Sequence, residues 1–163
     1  MNLRPATIDD IDLLTYWDSK PHVVAASGSD DSWDWQNELP RDVPWCEFWI
    51  GEHEGRPIGF IAIIDPYEEE THYWGEVEPH LRAMDIWIGE ESDLGRGYGT
   101  AMMQLAIDRC FADPEVEAIL IDPLTSNVDA QRFYRRMGFA PVGQRWFDDD
   151  DCLVMRLDRP TVA

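Results

Sequence analysis

Lysine is almost absent from this chain: Lys20 stands alone among 163 residues, and 33 acidic side chains face 13 basic ones, for a formal net charge of −20. A field of that sign repels nucleic acid and anionic membrane surfaces and draws cations into acidic clefts. Nucleic acid is therefore excluded as a partner, and the acidity reads either as adaptation to a cationic substrate or as a salt-rich habitat. No apolar tract approaches the ~20 residues that cross a bilayer, and no basic, apolar leader opens the chain, so a cytoplasmic protein with no membrane partner is expected. Cysteine is scarce as well. Cys46, Cys110 and Cys152 are odd in number and fall one per element, which argues for reduced, mostly buried thiols. The four histidines, at 22, 53, 72 and 80, form no i, i+4 pair, and the acidic runs lack the Gly-centred spacing of a calcium loop. No metal is expected.

Glycine, by contrast, is concentrated where it carries information. In Leu94-Gly95-Arg96-Gly97-Tyr98-Gly99-Thr100 three glycines alternate between an apolar strand-like run, 84–88, and a helical stretch, 101–111. Such a bend exposes backbone N–H groups, and the following helix aims its positive dipole end at them, a site for phosphates. The spacing is not the G-x-G-x-x-G of dinucleotide binders, and the Gly-Lys-Ser/Thr of nucleotide triphosphate loops is missing. A tight turn without a ligand is the alternative.

A second motif runs from Asp122-Pro123 to Gly138-Phe139. Residues 118–121 read as a short buried strand, and Ser126 or Asn127 caps a helix. Ala130, Phe133, Tyr134 and Met137 form that helix's packed face, Gly138 ends it, and Phe139 begins the next strand.

The pairing of these segments resembles the GCN5-related N-acetyltransferase (GNAT) superfamily, with Leu94 in place of the family's leading Gln or Arg. Glu54 to Gly59, Arg82 to Asp85, the glycine turn, 111–116 and 122–139 are closest to its aminoglycoside 6′-N-acetyltransferase branch, while siderophore-type acyltransferases share much of the same pattern.

One acetyltransferase domain over 1–163 is expected, of α/β (α+β) class: a central mixed, mostly antiparallel sheet of about six to seven strands with helices on both faces. Along the chain, 3–7 reads as an opening strand and Thr7 with Asp10 as a capping box before a first helix over about 8–19. Residues 20–44 read as an aromatic loop too polar and turn-rich for a regular core element. Residues 46–52 and 57–64 read as an antiparallel pair turning at Glu54-Gly55, and 65–81 as an acidic, aromatic loop. A last hairpin, 141–147 and 152–157, turns across Asp148 to Asp151, mostly a solvated tip. Its second strand is read as an edge that could pair two subunits, leaving monomer or homodimer open.

The resemblance implies acetyl-CoA as cosubstrate. Backbone groups of Ile86, Trp87 and Ile88 would bond its pantetheine arm, the amides of Gly95, Arg96, Gly97, Gly99 and Thr100 its pyrophosphate, and Asn127 would also touch it. Tyr134 would be the acid that protonates the departing thiolate; read from the residues alone it is a core-facing aromatic. Asp85 would receive the acceptor amine and its proton, or else pair with an Arg such as Arg82, since a carboxylate in an apolar strand is costly to bury alone. Asp122 would bind a second ammonium or organise a turn. Glu76, Glu78 and the 148–151 run are further candidates for the cleft, and Trp33, Trp35, Trp74 and Trp87 would offer flat walls. His22 is read as a structural contact before a base.

The function implied is acetyl-CoA-dependent transfer to a primary amine of a small cationic acceptor, foremost an aminoglycoside at its 6′ amine, by direct attack in a ternary complex. A siderophore precursor of the hydroxylysine type or a polyamine is the rival acceptor, and a non-catalytic acyl-CoA-binding sensor the rival from another class.

Overall fold

The computed structural model describes residues 1–28 and 33–161. After β1 (Asn2–Pro5) a 3₁₀ turn, Ile8–Asp10, leads into helix α1 (Ile11–Asp18). The capping box forms as expected: Thr7 Oγ1 accepts from the Asp9 amide at 3.3 Å and the Asp10 carboxylate accepts from the Thr7 amide at 2.8 Å. Residues 20–44 depart from the loop expectation, because Pro21 opens helix α2 (Pro21–Ser27) and a single turn, α3 (Trp35–Glu38), follows. Proline at a first helical position loses no hydrogen bond there, and Trp35 supplies the apolar anchor that a polar segment otherwise lacks.

Strands β2 (Cys46–His53) and β3 (Arg56–Ile64) pair antiparallel around Glu54 and Gly55. Both turn residues are left-handed, with φ of 52° and 79°, the geometry that matches the twist of two strands joined by two residues. Then come β4 (Leu81–Ile88), α4 (Tyr98–Phe111), β5 (Ala118–Ile121), α5 (Val128–Arg136), β6 (Ala140–Phe147) and β7 (Asp150–Asp158).

These strands form one seven-stranded sheet in the order β1-β2-β3-β4-β5-β7-β6, antiparallel except where β4 and β5 run parallel. The expectation that the last strand is an edge is overturned: β7 inserts between β5 and β6, and β6 is the edge. On one face α4 and α5 cover Ile61, Ile63, Met84 and Ile119, with Met102, Met103, Ala106, Ile107 and Cys110 forming the buried stripe of α4. On the other, α1 and α3 deliver Leu14, Trp17 and Trp35 onto Ile50, Phe60 and Ala62, and a second cluster joins Trp74 to Leu81, Ala83, Phe147 and Cys152. Among the described residues no helix is long and apolar enough to cross a membrane, and no cluster of His, Cys, Asp and Glu could hold a metal ion.

The parallel contact matters most for function. β4 and β5 pair only from Leu81 to Ala83 against Ala118 to Leu120, whereas β4 stays paired with β3 as far as Ile88. Past Ala83 the two strands part, and a gap opens in the middle of the sheet.

Candidate active site

The glycine turn follows the exit of β4 and leads into α4. Gly95 and Gly97 sit at φ 71° and 83°, a region where a Cβ crowds the following carbonyl, and a Cβ built on either meets nothing within 4 Å. Gly97 is the N-cap of α4, with no side chain capping it. The N–H groups of Tyr98, Gly99 and Thr100 have no acceptor within the helix, so they and the helix dipole together favour negative charge there. Arg96 folds back, donating from Nε to the Ser92 carbonyl at 2.9 Å. Asp93 escaped the sequence reading. Its buried carboxylate accepts two bonds from Arg56, at 2.8 and 3.0 Å, tying the turn to β3, and those bonds hold its carboxyl below the usual range.

The open edge of β4 forms the next part. The Gly89 amide donates to Ile58 O at 2.9 Å, and a Cβ on Gly59 would collide with the Trp87 carbonyl. Odd-numbered residues of β4 therefore bond β3, and the two-residue period turns the backbone groups of Ile86 and Ile88 toward the gap. Trp87 departs from expectation: its backbone is engaged with β3, and its indole packs 4.5 Å from Phe60 while lining the cleft. His22 lies outside the cleft wall and reaches the same edge, Nε2 to Ile88 O, across 2.8 Å.

Beyond the gap a cleft of about 510 Å³ runs from α2 to α5. Asp18, Glu38, Glu69, Glu70, Asp85, Asp122 and Asp150 line it, and among the described residues no Lys, Arg or His does. Asp85 and Asp122 lie near the buried Tyr134, whose hydroxyl is pushed above its ordinary value by burial and then by those two negative charges. Phe139 and Gly138 amides cap the Tyr134 and Arg135 carbonyls at 3.0 Å, a paired closure that fixes the end of α5. Asn127 accepts from the Ala130 amide at 3.2 Å, capping α5 at the cleft wall. Arg82 does not serve Asp85. An odd spacing along a strand puts the two on opposite faces, and Arg82 pairs with Asp65 at 3.3 Å and Asp113 at 3.6 Å.

The aromatic candidates divide. Trp33 lines the cleft, stacked 5.5 Å from Trp35. Trp35 does not; it is 3% exposed, and its indole donates to Asp18 Oδ2 at 2.7 Å, so it belongs to the core and serves as Trp33's backing. Burial pushes the Asp18 carboxyl up, against the opposing pull of that bond. Trp74 reaches the wall though largely buried, edge-on to Phe147. Glu76 is exposed and outside the wall, because the 65–80 loop turns its Tyr73-Trp74 pair inward instead. The acidic tip divides: Asp148 and Asp149 are exposed, whereas Asp150 is 8% exposed and lines the cleft together with Cys152. The two-residue period of β7, which sets Asp150 on the face of buried Cys152, was the available signal. Tyr73, Asp18, Glu69 and Glu70 had none of that kind, since loops and tertiary packing bring them in.

Residues 7–147 match the family model described as an acetyltransferase (GNAT) domain. The aminoglycoside N(6′)-acetyltransferase type 1 of Klebsiella pneumoniae is 30% identical over 163 residues, spanning 95% of this chain and 81% of that protein. The lysine N-acyltransferase MbtK of Mycobacterium tuberculosis is 23% identical over 167 residues, 99% of this chain and 79% of its own. A crystal structure of an aminoglycoside acetyltransferase in complex with coenzyme A and kanamycin superposes with a TM-score of 0.85 at 28% identity, covering 97% of this chain and 94% of that one.

Proposed function

Since the chain belongs to the GNAT acetyltransferase family, we propose that it moves acetyl from acetyl-CoA to the 6′ amine of an aminoglycoside by direct attack in a ternary complex. The observation that carries this reading is the opposite chemistry of the two parts of the site. The glycine turn and the start of α4 present N–H groups with no acceptor in the helix, while the cleft is walled, among the described residues, by carboxylates and by no Lys, Arg or His, with Arg41 pairing Glu38 and Glu70 from outside that wall. A polyanionic cofactor and a polycationic acceptor are the pair that these two chemistries suit.

Gly95, Gly97, Gly99 and Thr100, with the Arg96 backbone, would hold the pyrophosphate, and the gap-facing groups of Ile86 and Ile88 the pantetheine amides and the thioester carbonyl. The cosubstrate supplies an acyl group on a good leaving thiolate. Asp85 steers the ammonium into the gap and accepts its proton, leaving the free amine as nucleophile. Tyr134 donates to the sulfur as it departs. A hydroxyl held above its ordinary pKa keeps that proton at neutral pH, which is the state a donor needs. Asp122, Asp150 and Trp33 receive the remaining ammonium groups and a sugar face.

Similarity to a lysine N-acyltransferase favours a second acceptor class, a hydroxylysine-type siderophore precursor. Substituting Asp85→Asn tests the mechanism: amine turnover falls ~10²-fold, the scale of a lost general base, with coenzyme A binding unchanged. Unaltered turnover would remove Asp85 from the reaction.

A further inference from the structure

Three consecutive residues at the exit of β4 are gripped by one short stretch of chain on the acceptor side. His22 Nε2 meets Ile88 O at 2.8 Å. The Trp17 indole lies so close over Gly89 that any Cβ there would overlap its ring. Lys20 Nζ pairs with Glu90 at 3.1 Å. Only the first contact reaches the backbone of the strand edge that faces the gap. A carbonyl can only accept, so Nε2 carries the proton. Nδ1 is buried and has no partner among the described residues, which leaves Nε2 as the ring's one anchoring atom.

The same helix that carries His22 also lines the acceptor cleft, through Val23, Val24, Ala26 and Ser27, with Gly28 at its end. Next to the gripped carbonyl, the Ile86 and Ile88 groups are those with which the strand can hold a pantetheine arm. Resting on the acetyltransferase reading above, we propose that His22 is a positioning residue that locks α2 to β4, so that the acceptor wall and the cofactor edge keep one fixed spacing. It touches neither substrate. It acts by holding Ile88 O and thereby the direction of the neighbouring N–H groups. Both substrates should lose affinity together when it is removed.

Three variants separate this from a role in stability alone. His22→Ala is expected to raise KM for acetyl-CoA and for kanamycin each about fivefold, the worth of one neutral hydrogen bond. His22→Gln places an amide nitrogen where Nε2 was and restores both constants to within about twofold, whereas His22→Asn places it at the Nδ1 position and does not. Unchanged constants in His22→Ala, or equal behaviour of the Gln and Asn variants, would overturn the proposal. Should the Ala variant fail to fold, the Gln and Asn pair decides alone. Calorimetric titration with coenzyme A gives an arm independent of the acceptor. Weakened coenzyme binding in the Asn variant, with wild-type protein inert toward kanamycin, supports the lock and contradicts the acceptor. Kanamycin turnover with coenzyme binding equal in all the variants contradicts the lock and supports the acceptor.

Discussion

The Tyr73 hydroxyl donates to Asp122 Oδ2 across 2.7 Å, joining the loop after β3 to the end of β5 on the far side of the gap. Tyr73 also stacks on Phe147, with centroids 4.7 Å apart and planes 9° from parallel, so one ring braces a carboxylate of the cleft and closes its wall. Tyr73→Phe keeps the stacking and loses the bond. The acceptor KM should rise about 10- to 150-fold, the range for a hydrogen bond to a charged group, while kcat and the KM for acetyl-CoA hold. Initial-rate kinetics with each substrate varied in turn check it.

Tyr134→Phe removes only a hydroxyl from a packed ring. Turnover should fall ~10²-fold with coenzyme A affinity intact, as single-turnover and titration measurements would register. The pH profile carries a sign of its own. Because burial and the charges of Asp85 and Asp122 raise this hydroxyl above its ordinary 10.0, the acid form persists through pH 10, and any alkaline fall in kcat below that pH belongs to another group.

Asp150→Asn should raise the KM for a polycationic acceptor at least about tenfold, one buried charge-assisted contact being worth about 1.5–3 kcal/mol. Added salt should raise that KM in the wild type, since screening weakens the pull of the cleft's carboxylates. A monoamine acceptor should show the smaller salt dependence in parallel assays.

The parts of the site legible beforehand are those built from neighbours in sequence. Gly95 and Gly97 advertise a left-handed turn before a helix, and Asn127 and Gly138 bracket α5 with a cap and a stop, because caps and turns are local chemistry. The acidic wall was not legible in the same way. Glu76 and Asp150 are both carboxylates in acidic stretches, yet one faces solvent and the other the cleft, a difference set by which strand pairs with which. The insertion of β7 between β5 and β6 is such a pairing, invisible in a hairpin's own pattern. Trp33 and Trp35 likewise look alike in sequence, and only their packing on Phe48 and Phe60 makes one a surface and the other its support.

Stability offers a test away from the chemistry. Asp10 is 6% exposed, accepts two bonds from Arg4 at 2.8 Å and completes the cap of the first helix. Asp10→Asn should cost about 2 kcal/mol at neutral pH. The Arg4 bonds hold this carboxyl below its ordinary 3.8, so its stabilisation is present in full above that value and is lost as pH falls through the folded-state value. The gap between wild type and variant in urea unfolding should therefore narrow only below about pH 4.

The most direct measurement is thiol release from acetyl-CoA against a panel of kanamycin, spermidine and N6-hydroxylysine, with the acetylated position of each product mapped by NMR. Stoichiometric thiol and a product acetylated at the 6′ amine of kanamycin is the predicted result. Tight acetyl-CoA binding with no acetylated amine from any member of the panel would contradict the account.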